Sequence, residues 1–96
     1  MINLKSSDGN EITGAQIRAA RALIRWSAKD LALAASVGVA TVSRAEVEDG
    51  RPTITAANLK ALQTALEKAG IEFIRENGGG VGVRFSKPTA AARLQP

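Results

Sequence analysis

Ser27-Ala28-Lys29-Asp30-Leu31-Ala32-Leu33-Ala34-Ala35, then Ser36-Val37-Gly38, then Val39-Ala40-Thr41-Val42-Ser43-Arg44-Ala45-Glu46-Val47-Glu48 is the stretch on which the fold turns. It holds two helix starts separated by a short turn. Ser27 is a capping residue with Asp30 at the third helical position, and Trp26 and Leu31 flank it where a hydrophobic staple forms. This predicts a short helix reaching about Ala35. Gly38 is a cap without a side chain, set between Val37 and Val42 in the staple positions, and it predicts a helix from Val39 to about Glu48. Val42 and Ala45 can then face inward, and Ala32 lets the two helices approach closely. The opposite face of the later helix shows Val39, Ala40, Ser43 and Arg44.

The same start design recurs on both sides. Upstream, Thr13 caps, Gln16 completes a capping box and Ile12 can staple to Ile17, which predicts a first helix running to about Trp26. Downstream, Thr55 caps with Asn58 at the third position, and Ile54 can staple to Leu59. That helix carries Leu62 and Leu66 on one face to Ala69, where Gly70 supplies a left-handed stop and Ile71 can pack back on Leu66. After Gly70 the period becomes alternating, with Ile71 and Phe73 on one face and Glu72 and Ile74 on the other. Asn77-Gly78-Gly79-Gly80 and then Val81, Val83 and Phe85 complete the pattern of a β-hairpin. The expected fold is therefore mainly α: four short helices followed by a C-terminal hairpin. The organisation is an N-terminal arm over 1–12, a helical domain over 13–69, the hairpin over 70–86 and a disordered tail over 87–96. Whether Ile2 and Leu4 add a strand stays open.

Composition agrees with a small helical domain. With 96 residues there is room for one domain and a modest core, and 45% of the residues are apolar while only one Trp and two Phe are aromatic. Leu, Ile, Val and abundant Ala must fill it. The chain has no Cys and no His, which excludes disulfides, thiolate nucleophiles, the usual zinc ligands and His-based acid–base chemistry. No cofactor, no metal and no enzymatic activity are expected. The apolar runs are too short to span a bilayer and no leader-like segment opens the chain, so a cytoplasmic protein is the expectation. A formal charge of +4 favours a polyanionic partner, with solvated surface as the plain alternative.

The two central helices and their turn have the dimensions of a DNA-binding helix-turn-helix. At this point the sequence resembles the lambda-repressor and Cro-like family, also called the xenobiotic-response-element (XRE) family, over about residues 14–66. The resemblance rests on Arg18-Ala19-Ala20-Arg21-Ala22-Leu23, Trp26-Ser27, Leu31-Ala32 and Ala40-Thr41-Val42-Ser43-Arg44-Ala45-Glu46, the last of which looks like that family's recognition helix. Thr55-Ala56-Ala57-Asn58-Leu59, Gly70-Ile71-Glu72-Phe73-Ile74 and the run from Glu76 to Arg84 resemble an alphaproteobacterial-type subgroup of hairpin-tailed regulators. The resemblance implies that Ala28 and Lys29, beside the Ser27 cap, approach phosphates. It implies that Val39, Ala40 and Arg44, following Gly38, face the major groove, with Thr41 and Ser43 near the backbone. It also implies an ion pair between Arg21 and Glu46. Two departures are Ser36 where the family has a turn Gly and Gly38 where it has a Ser or Thr cap.

Each reading has a plainer rival. Arg18 and Arg25 are expected to form a solvated stripe on the first helix. Trp26 reads as a staple residue rather than a base-stacking platform. Arg44 reads a base or phosphate, against a surface ion pair with Glu48. The triple Gly is turn chemistry, since a phosphate loop would need a following helix. Ile71, Phe73, Ile74, Val81, Val83 and Phe85 are expected to make a dimer, because an isolated hairpin is marginal in water. The resulting expectation is a transcriptional regulator, a repressor, that binds a palindromic double-stranded DNA operator as a homodimer. The alternatives are an antitoxin-like or anti-activator module whose partner is a protein, and a nucleoid protein binding DNA without sequence preference.

Overall fold

A computed structural model describes residues 11–87. Of the expected arm over 1–12 only Glu11 and Ile12 are described, so a strand at Ile2 and Leu4 lies outside the described residues, as does the expected tail beyond Lys87. Four helices are followed by two strands: α1 (Gly14–Ile24), α2 (Ala28–Ala35), α3 (Val39–Val47), α4 (Ala56–Lys68), β1 (Ile71–Ile74) and β2 (Gly82–Phe85). None of these helices is long and apolar enough to cross a membrane.

The helices start where side chains can satisfy their free N–H groups. The Gln16 N–H donates to Thr13 Oγ1 at 3.1 Å, and the Thr13 N–H donates to Gln16 Oε1 at 2.9 Å. Ser27 and Asp30 form the same reciprocal box at the head of α2, at 3.0 and 2.9 Å. At α4 the Asn58 N–H donates to Thr55 Oγ1 at 3.1 Å. Only Gly38, before α3, gives no side-chain cap.

One helix end departs from the sequence reading. α1 stops at Ile24 rather than near Trp26, because Arg25 enters the left-handed region at φ 59°. There the Arg25 N–H donates to the Ala22 carbonyl at 3.2 Å and the Trp26 N–H to the Arg21 carbonyl at 3.0 Å. These are the two bonds of a Schellman ending. α2 closes identically around Ser36, at φ 58°, with Ser36 N–H to Leu33 carbonyl at 3.3 Å and Val37 N–H to Ala32 carbonyl at 3.0 Å. The expectation of Gly at such sites hid the first of them. At α4 the left-handed residue is Gly70, φ 104°, whose N–H donates to the Glu67 carbonyl at 3.0 Å.

The core is a single cluster drawn from every helix and the first strand. Ile17, Leu31, Val42, Leu62 and Leu66 have no measurable exposure, and Ile71 retains 1%. Burying a side chain of this size stabilises by about 1.5–3 kcal/mol. Ala20, Ala32, Ala45 and Ala65 are buried between them, where a larger side chain would hold the helices apart. All four staple pairs join the cluster, with Trp26, Val37 and Ile54 as its partly buried members. α2 packs on α3 and α4, α1 packs on α3 and β2, and α4 packs on β1.

β1 and β2 pair antiparallel with Ile71 opposite Phe85, Glu72 opposite Arg84, Phe73 opposite Val83 and Ile74 opposite Gly82. Val81 falls in the turn instead of the strand. Cross-strand partners share a face, so Ile71, Phe73, Val83 and Phe85 lie on one side. The hairpin does not stand isolated on the domain: Ile71 is buried, and Phe73 and Val83 pack against the core of the same chain. On the other side Arg84 donates from Nε and Nη2 to the two carboxylate oxygens of Glu72, each at 3.1 Å. These hydrogen bonds, with the attraction between the charges, hold the Glu72 carboxyl below its ordinary range. The pair's contribution is therefore present at neutral pH and fades as acid protonates Glu72. Gln16 ties the hairpin down, its Nε2 donating to the Ile74 carbonyl at 3.2 Å and the Gly82 carbonyl at 2.9 Å.

The left-handed residues give a test of opposite sign. Ser36→Gly relieves a side chain from a conformation that costs an L-residue about 1–2 kcal/mol, partly offset by greater freedom of the unfolded chain. It should stabilise by about 0.5–1 kcal/mol, whereas Gly70→Ala should destabilise by about 1 kcal/mol or more. Urea midpoints of the two variants should move in opposite directions.

Candidate nucleic-acid interface

α3 is held from behind and left open in front. Its inner side chains, Val42 and Ala45, are completely buried, while Val39, Ala40, Ser43, Arg44 and Val47 are exposed. Positions 39, 43 and 47 make one row at helical spacing and 40 and 44 the next, so the five share a face. Thr41 stands half-buried at its edge. Arg44 pairs with no carboxylate among the described residues, Glu48 included.

Two of the acids near this face, Glu46 and Asp49, are turned to α1. Arg21 grips Glu46 bidentately, Nε to Oε2 at 2.7 Å and Nη2 to Oε1 at 2.8 Å, and its Nη1 donates to the Trp26 carbonyl at 2.9 Å. The side chains keep 23% and 10% exposure, so the pair is partly buried. The hydrogen bonds with Glu46 raise the Arg21 pKa against the opposing effect of burial. One turn earlier on α1, Arg18 donates from Nη1 to the Glu46 main-chain carbonyl at 2.6 Å and from Nη2 to Asp49 Oδ1 at 2.5 Å. The solvated stripe expected for Arg18 is thus corrected: the chain leaving α3 turns back across the head of α1 and brings Asp49 to it. Arg25 is exposed.

Gly14 makes this approach possible, and the sequence reading assigned it no role. Its N–H donates to the Gly50 carbonyl at 2.8 Å, and the Ala15 N–H donates to the Asp49 carbonyl at 3.3 Å. Two of the free donors at the head of α1 are thereby satisfied by backbone. A Cβ at Gly14 would lie 2.0 Å from the Glu48 carbonyl oxygen and 2.7 Å from that of Ala45. The available signals were a glycine in the first turn, where propensity disfavours it, and Arg18 and Arg21 three apart against Glu46 and Asp49 three apart.

The head of α2 lies before α3 across the turn. Ser27 is exposed but its Oγ is engaged as the cap, and Lys29 is exposed without a partner among the described residues. The Ala28 methyl packs against the core, so only its main chain could meet a phosphate. Neither the Ala28 nor the Lys29 N–H has an acceptor among the described residues. Gly38 is exposed, and a Cβ there would meet nothing within 4 Å. Leu33 on α2 and Val47 on α3 are exposed by 75% and 73%, which the sequence reading did not single out.

The Arg21–Glu46 tie can be tested by a double-mutant cycle. Arg21→Met strands a partly buried carboxylate and Glu46→Gln a partly buried guanidinium, and each should cost about 1–3 kcal/mol. The double variant should cost less than the sum, since it removes both charges together. Strict additivity in thermal or urea unfolding would show the pair to be uncoupled.

The sequence matches no protein-family model and no curated protein.

Proposed function

We propose that this chain binds duplex DNA sequence-specifically through α3 in the major groove, as a helix-turn-helix regulator similar to the lambda-repressor and Cro-like family. One observation carries the reading. α3 is fixed from behind by buried contacts and two arginine clamps, and its free face offers Arg44, a cation paired with no carboxylate among the described residues. Arg44 then reads a base edge, most simply the N7 and O6 of guanine. Lys29 and the free N–H groups at the head of α2 hold a phosphate, which fixes the register.

In this reading the protein acts as a homodimer that represses by occluding an operator. Two copies present two α3 helices to half-sites about 34 Å apart on one face of the duplex. Because Ile71, Phe73 and Val83 are engaged within the chain, the dimer uses the strand edges with Ile74, Val81 and Phe85. Selection from a random duplex pool in excess nonspecific DNA should yield a palindrome with half-sites about one turn apart. Uniform binding without enrichment would instead indicate a nucleoid-type protein.

The exposed Leu33 and Val47 favour a second reading, in which the same surface docks on another protein in the manner of an antitoxin-like or anti-activator module. Charge substitution at Leu33, which lies on α2 and outside the open face of α3, would abolish such docking while leaving operator binding close to wild type.

Arg44 and Lys29 should fail differently. Arg44→Ala should lose about 1–3 kcal/mol on the selected site and relax preference at one base pair per half-site. Lys29→Ala should weaken all duplexes about equally and flatten the salt dependence. Equal losses on every sequence for Arg44→Ala would remove its readout role. For the dimer, Ile74→Lys with Val81→Lys should sediment as a monomer with unchanged helical circular dichroism and much reduced operator affinity. Full-affinity dimers would place the interface elsewhere.

A further inference from the structure

The composition of the open face of α3 narrows what it can read. Of its five exposed side chains, Val39, Ala40 and Val47 are hydrocarbon, Ser43 is a hydroxyl and Arg44 a guanidinium. There is no Asn or Gln, the side chains that pair bidentately with adenine, and the one carboxylate within α3, Glu46, is held by Arg21 and so does not accept from cytosine. Val39 keeps 44% exposure at the first position of the helix, the end that enters the groove in a helix-turn-helix. No side-chain cap stands over it, because Gly38 precedes it.

A hydrocarbon surface can recognise only one base edge in the major groove, the C5-methyl group of thymine. We infer that Val39 and Ala40 form a thymine-methyl contact beside the guanine read by Arg44, an inference that rests on the DNA-binding reading above. Ala40 and Arg44 are one helical turn apart, about 6 Å of rise. The thymine therefore lies within about two base-pair steps of the guanine, at about 3.4 Å per step. The net positive charge, with Lys29 exposed at the head of the preceding helix, makes DNA rather than an apolar partner the occupant of this face.

The test uses the full chain and the duplex selected from a random pool, resynthesised with deoxyuridine in place of each thymine in turn. Deoxyuridine lacks only the methyl. At the thymine nearest the guanine, substitution should weaken binding about fourfold per half-site, the effect of withholding one buried methyl. Val39→Ser should remove most of the difference between thymine and uracil there, leaving only the share of Ala40, while Val39→Thr, which keeps a methyl, should retain most of it. Position 39 is exposed, so folding is checked by circular dichroism alone. A clear consensus bound equally well with thymine or uracil at every position would overturn the inference and leave the DNA reading standing. If no duplex is enriched, the DNA reading itself fails and the inference falls with it.

Discussion

The contact between one side of α1 and the chain from Glu46 to Gly50 at the end of α3 is the constraint on which the rest of the molecule depends. Three points on one side of α1 grip the same short piece of chain: the Gly14 and Ala15 N–H groups take the Gly50 and Asp49 carbonyls, Arg18 takes the Glu46 carbonyl, and Arg21 takes the Glu46 carboxylate. The exposed Arg18–Asp49 pair adds little energy in water. The better shielded Arg21–Glu46 pair and the backbone bonds supply direction, since each is lost by a small displacement. α3, nine residues long and without a side-chain cap, borrows its orientation from this clamp.

A core this small leaves little room for error. Alanines at the helix crossings bring backbones close, and the fully buried branched side chains fill what remains. Against that background the left-handed Arg25 and Ser36 are costs accepted for short connections. Each ends a helix within a single residue, so that α1, α2 and α3 follow one another with three-residue joints. Longer joints would loosen the relation between α2 and α3 on which a shared surface depends.

Local chemistry made the helix starts legible. Caps at Thr13, Ser27 and Thr55 and the four staples are adjacent in sequence, and the change of period after Gly70 announced the hairpin. The inward Val42 and Ala45 and the outward Val39, Ala40, Ser43 and Arg44 followed from periodicity alone. What sequence did not disclose depends on partners far along the chain. Arg18 looked like a surface charge because Asp49 is 31 residues away. Gly14 looked incidental because its neighbour is the main chain beyond α3, and main chain has no signature. The hairpin looked unsupported because nothing in its alternation says that α1 and α4 offer it a floor. The four exposed groups proposed to meet DNA are legible as a surface, while their ligand follows from chemistry and not from packing.

Gln16 carries one more consequence. The same amide accepts the Thr13 N–H through its oxygen and reaches the Ile74 and Gly82 carbonyls through its nitrogen, the latter 66 residues away. During synthesis on a ribosome the α1 cap can form early, but this bond must wait until β2 has left the exit tunnel. The four helices thus emerge before their last brace exists, and the closing of the domain is a non-local event that raises its contact order. A chain stalled before Ile74 would leave a buried amide with two donors and no acceptors, a half-finished state exposed to chaperones and proteases.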